Sequence, residues 1–206
     1  MKTLSKQLSE FSFVSRESRN GVTLSNKCGR DFLYFALNFY LPHKFYVQGV
    51  CPVEIERQKL FGQPVPKWLA WTHIQFFNMP AYLATQGLKL SINTKVVSSF
   101  HSLLSRNLFS GFKVTYMDAI NAIQNCIDTN VACGIDIPVR KGFFVLQDHV
   151  MFVYGYDEDN LYVFDTLTVK GFGYEKVPGE IGLYRLPKSL IQNNWSKFGR
   201  FWEVVK

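Results

Sequence analysis

Gln147-Asp-His-Val-Met-Phe-Val-Tyr-Gly-Tyr-Asp-Glu-Asp-Asn-Leu-Tyr-Val-Phe-Asp165 is the stretch on which the fold of this 206-residue chain turns. Residues 149–156 and 160–165 are rich in Val, Phe and Tyr, the types that suit a pleated, half-buried surface, and Asp157 to Asn160 between them are turn formers. The stretch predicts an antiparallel hairpin, with His149 opening one strand and Asp165 closing the next. Such ends lie within a few ångströms of each other across the ladder. On either side of the hairpin, residues 131–137 predict a strand before it, and residues 169–177 and 181–186 predict strands after it.

Upstream, the period changes. In Asp31-Phe-Leu-Tyr-Phe-Ala-Leu-Asn-Phe-Tyr40 the apolar positions Phe32, Leu33, Ala36, Leu37 and Tyr40 recur at helical spacing, so a mostly buried helix is expected from Cys28 until Pro42 stops it. Gly29 and Asp31 fall in its first turn. Residues 1–27 carry no sustained period and read as an extended lead-in. Between 43 and 127, Pro64, Pro66 and Pro80 interrupt the pattern, while residues 81–87, 96–107 and 116–129 can each form helix. The third places Met117, Ile120, Ile123 and Ile127 on one stripe, which reads as core. Helices first and strands second is the order of an α+β fold. A single domain over 1–206 is expected, with a helical half at about 28–130 and a sheet half at about 131–206.

Composition narrows the function classes. Hydrophobic residues make up 47% and charged residues 19% of the chain, which excludes the disordered class and supplies one sizeable core. No apolar run approaches the roughly 20 residues a membrane-spanning helix needs, and the opening residues contain no apolar block of the secretory kind. No membrane association and a cytoplasmic location are therefore expected. The net charge is +7, but the cations are dispersed rather than clustered, so nucleic acid is not an expected partner. Cys28, Cys51, Cys126 and Cys133 contain no close ligand pair and have no histidine within four residues, so no metal is expected and free thiols are the default.

The candidate chemistry starts at Cys28. Unpaired N–H groups and partial positive charge at a helix start favour an anion, which makes a thiolate there a usable nucleophile and lets the same backbone face an oxyanion. Alone, such a cysteine reads as a small buried apolar residue. The hairpin changes the balance, because His149 supplies a base and Asp165 a carboxylate able to hold its tautomer and stabilise its charged form. Asp148 reads as a surface carboxylate. His43, His73 and His101 lack a neighbouring nucleophile and read as structural. The cluster Trp68, Trp71, Phe76 and Phe77 reads as core or as the wall of a groove. Cys51, Cys126 and Cys133 read as inert.

Asn26-Lys-Cys-Gly29 before an apolar helix, followed by His-Val-x-Phe-Val-Tyr-Gly-Tyr-Asp and a strand ending in Phe-Asp, resembles the papain-like cysteine peptidase superfamily. The likeness is nearest to the peptidases that cut double-glycine leader peptides and to acyltransferases of the butirosin type. It covers residues 26–40 and 147–166. It implies a papain-like fold in which Cys28 is the nucleophile, His149 the general base and acid, and Asp165 the orienting residue. It also implies a peptide or acyl-carrier substrate and no cofactor. Papain-like enzymes usually carry a glutamine about six positions before the cysteine to complete the oxyanion hole; Val22 stands there in this chain. Asn26, with the Cys28 backbone N–H, is the expected substitute, ahead of Ser25 and Thr23. Hydrolysis of a peptide or amide, acyl transfer to an amine, and peptide binding without turnover are the three functions this reading leaves open.

Overall fold

The computed structural model describes residues 1–5, 28–41, 59–60, 63–64, 83–97, 114–141, 146–165, 173–180, 182–195 and 199–206. In chain order their elements are β1 (Lys2–Thr3), α1 (Cys28–Tyr40), β2 (Lys59–Leu60), β3 (Gln63–Pro64), β4 (Lys89–Ile92), β5 (Lys95–Val97), α2 (Tyr116–Asp128), β6 (Ala132–Lys141), β7 (Leu146–Tyr156), β8 (Asn160–Phe164), β9 (Glu175–Lys176), β10 (Leu183–Pro187), α3 (Lys188–Asn194) and β11 (Arg200–Val205). The architecture is α+β. Among the described residues the large sheet runs β5-β4-β11-β6-β7-β8-β10-β9, with β1 paired to the end of β7, and every described pairing in it is antiparallel. β2 and β3 form a separate small hairpin.

The helix-then-sheet division is too simple. β1, β4 and β5 come from the first half of the chain and join the same sheet as the hairpin. Thus the lead-in begins with a strand, since Lys2 and Thr3 pair with Tyr156 and Gly155. Residues 96 and 97, expected in a helix, lie on β5. Asn93 and Thr94 both take positive φ, 49° and 66°, which is the two-residue turn whose twist matches paired strands. The β-branched Val96 and Val97 then fit the ladder beside β4. The rest of that expected helix lies outside the described residues. Residues 83–85 make a single helical turn before β4. Of the strand expected at 169–177, Glu175 and Lys176 are in β9.

α2 starts at an N-cap. Thr115 accepts from the Asp118 N–H and its hydroxyl donates to the Asp118 carboxylate at 2.7 Å, which satisfies one of the orphan donors of the first turn. Its buried residues are Ala119, Ile120, Ile123, Cys126 and Ile127. Met117, expected in the core stripe, is 58% exposed. It lies roughly 120° round the helix from Ile123 at about 100° per residue, outside the arc that meets the sheet.

α1 is buried along most of its length, with Phe32, Leu33, Phe35, Ala36 and Leu37 all in the core. Phe32 meets Trp202 edge-on at 5.4 Å between ring centroids, and Phe35 stacks on Phe164 at 4.8 Å. These contacts tie the helix to β11 and β8. At its C-terminal end the Tyr40 hydroxyl donates to the Val204 carbonyl and accepts from the Ala132 N–H. The close seat over β6 requires Gly134, because a Cβ there would stand 2.5 Å from Phe32 and 2.7 Å from the Met151 carbonyl oxygen. The helix that begins with Cys28 is therefore held to the sheet along its length.

Candidate active site

His149 is the fourth residue of β7, which begins at Leu146 rather than at the histidine. It pairs with Ile137 of β6. β7 and β8 pair in two registers: Tyr156 with Leu161 and Gly155 with Tyr162, then Val153 with Val163 and Phe152 with Phe164, with a bulge between. The extra residue at Tyr154 decides which face of the sheet each later residue of β8 meets. Continuing the second register by one residue sets Asp165 opposite Met151, two residues from His149 and on the diagonal that long side chains cross. Without the bulge Asp165 would stand opposite Phe152, out of phase with His149, since a one-residue slip exchanges the faces of a strand. The Asp165 N–H donates to the Gly182 carbonyl at 3.0 Å, so the chain keeps its strand geometry just beyond β8.

The result is a buried pair. His149 Nε2 lies 2.9 Å from Asp165 Oδ1, and their side chains are 2% and 1% exposed. Burial is the strongest influence on the ring and favours its neutral form. The charge and hydrogen bond of Asp165, followed by the hydrogen bond and charge of Cys28, reverse that effect and raise the His149 pKa to about 10. Cys28 thus lies near enough to bear on the charge of the imidazole, and with Nε2 committed to Asp165 the nitrogen left for a thiol is Nδ1. Cys28, half-buried and first in α1, is the member of the three that solvent reaches most.

Sequence reasoning did not anticipate Tyr174. Its hydroxyl donates to Asp165 Oδ2 at 2.7 Å, so each carboxylate oxygen of Asp165 has a side-chain partner. The available signal was Gly173, which takes φ +94° immediately before the tyrosine. A glycine there allows a turn that side chains resist.

No protein-family model and no curated protein matches the chain.

Cys126 and Cys133 are free and buried, well inside the core. The Cys126 thiol contacts Glu203 at 3.3 Å, and burial pushes the Cys133 thiol well above its usual range. Neither meets the imidazole in the contacts described. Asn26 and the position of Val22, with Thr23 and Ser25, lie outside the described residues, as do His43, His73, His101, Cys51 and the Trp68, Trp71, Phe76 and Phe77 cluster. Asp148 sits on β7 opposite Pro138. Among the described residues no group of three or more His, Cys, Asp and Glu side chains is placed to hold a metal ion, and no helix is long and apolar enough to cross a membrane.

Proposed function

We propose that this protein is a cysteine-nucleophile acyl-transfer enzyme with a papain-like fold, acting through a thioester as a peptidase or amidase. One observation carries the reading: a half-buried cysteine at a helix start lies near enough to bear on the charge of a histidine whose Nε2 is held at 2.9 Å by a buried aspartate. That is the relation of nucleophile, base and orienting group. In the first step the Cys28 sulfur attacks a carbonyl carbon, a C–S bond forms, and the C–N bond breaks as the His149 imidazolium gives its proton to the leaving amine. In the second, His149 takes a proton from water as the water oxygen attacks the thioester, the C–S bond breaks, and Cys28 is regenerated. An amine in place of water makes the same machinery an acyltransferase. A peptide or an acyl-carrier thioester is the proposed donor.

Val22, where papain-like enzymes usually carry glutamine, favours a second reading, a peptide-binding protein without turnover. Thiol labelling separates the two. Under the enzymatic reading iodoacetamide alkylates Cys28 near neutral pH much faster than Cys51, Cys126 or Cys133, and His149→Ala removes the difference. Intact-mass detection of an acyl adduct on Cys28 after exposure to peptide or acyl-thioester libraries then identifies the donor. Equal labelling of the four thiols overturns the proposal.

A further inference from the structure

The two oxygens of Asp165 are not equivalent. Oδ1 faces the imidazole, and Oδ2 accepts from the Tyr174 hydroxyl at 2.7 Å. A carboxylate held on one side only can rotate about its terminal torsion, which is broad for aspartate. Held on both sides, it keeps Oδ1 in line with Nε2. Tyr174 is itself fixed from two directions. Its ring meets Tyr184 of β10 edge-on at 4.8 Å between centroids, and the next two residues pair with β10 as β9, Lys176 opposite Tyr184 and Glu175 opposite Arg185. The Arg185 guanidinium also donates to the Glu175 carboxylate. The turn into this arrangement uses the positive φ of Gly173.

We infer that Tyr174 is a positioning residue of the site, a fourth member that orients Asp165 and through it the imidazole. The inference rests on the acyl-transfer reading for its consequence in catalysis, while its physical content is read on His149 alone. Tyr174→Phe keeps the ring and removes only the hydroxyl. The expected result is a His149 titration, followed by NMR of the imidazole, that falls by roughly one pKa unit, the scale of one hydrogen bond to a charged group. Cys28 alkylation at neutral pH slows by a matching factor of about ten. Asp165→Asn moves both readouts in the same direction and further. Tyr162→Phe is the control, because it removes a hydroxyl that donates to Asp157, a carboxylate in the turn between β7 and β8; it leaves both readouts unchanged.

An unchanged or raised His149 titration in Tyr174→Phe overturns the inference, the latter showing that the hydroxyl only drains charge from the carboxylate. An equal shift in Tyr162→Phe overturns it as well. Failure of the acyl-transfer reading looks different: Cys28 of the unaltered protein is then no more reactive than the other thiols, whatever His149 does.

Discussion

At the scale of single residues the governing balance is between desolvation and charge. A buried imidazole loses the hydration that stabilises its cation, and only a partner as close as Asp165 Oδ1, at 2.9 Å, reverses the preference. Asp165→Asn keeps the shape and removes the charge. His149 is expected to titrate well below the value of about 10 it has with Asp165 and Cys28 beside it, and NMR titration checks this. Cys28 alkylation at pH 7 is expected to fall by at least an order of magnitude, since each pKa unit corresponds to about 1.4 kcal/mol. A titration that stays near 10 would assign the shift to Cys28 instead.

At the scale of elements, the placement of α1 decides whether cysteine and histidine meet. Gly134→Ala puts a methyl into Phe32 and the Met151 carbonyl, and since backbone cannot give way cheaply, the helix must. A loss of about 1–3 kcal/mol, the usual cost of overpacking, is expected in denaturant unfolding, together with slower Cys28 alkylation from the displaced helix start. Equal labelling rates in variant and parent would separate the seat of the helix from the reactivity of its first residue. α1, α2 and the hairpin were legible in the sequence because each has a strong local signal: apolar residues at helical spacing after Cys28, the same after Thr115, and two β-rich runs around Asp157. The Asp157 carboxylate accepts from the N–H groups of Asp159 and Asn160, so that turn is built by its own residues. β11 was not legible. Arg200–Val205 takes its place from β4 on one side and β6 on the other, and β4 lies more than a hundred residues away, a pairing no local pattern encodes. Lys188–Asn194 was missed too, because α3 is short and has no side-chain cap. At the site, Cys28, His149 and Asp165 could be named from helix start and hairpin ends, whereas Tyr174 depends on a turn at Gly173 whose destination only the folded chain reveals.

At the scale of the whole molecule, the buried ionisable groups set how stability responds to pH. His149 is raised from 6.5 to about 10 in the folded state. Its contribution is therefore complete below about pH 6.5 and is lost as pH climbs toward 10. The Cys133 thiol, pushed well above 9 chiefly by burial, acts in the same direction, because the unfolded thiol ionises first. The melting temperature is expected to decline from pH 7 to pH 10, and His149→Gln is expected to flatten most of that slope while lowering stability at pH 7. At the acid end burial pushes Asp157 upward, but the hydroxyl of Tyr162 and the N–H groups of Asn160 and Asp159 bring it to about 2. Its contribution is complete above the ordinary carboxylate range and fades as pH falls from about 4 through 2. A melting temperature that rises between pH 7 and pH 10 would contradict the ionic pairing of His149.

The bulge at Tyr154 makes the histidine–aspartate pair a matter of counting. Were Tyr154 taken into the ladder as an ordinary paired residue, the two strands could still zip together, yet odd and even would trade places from that point on. The acid then lands on the far surface, and the ring keeps neither counter-ion nor solvent. A chain in that slipped register should retain its circular dichroism while its imidazole titrates below neutrality, so that arithmetic alone, with no functional side chain altered, silences the sulfur.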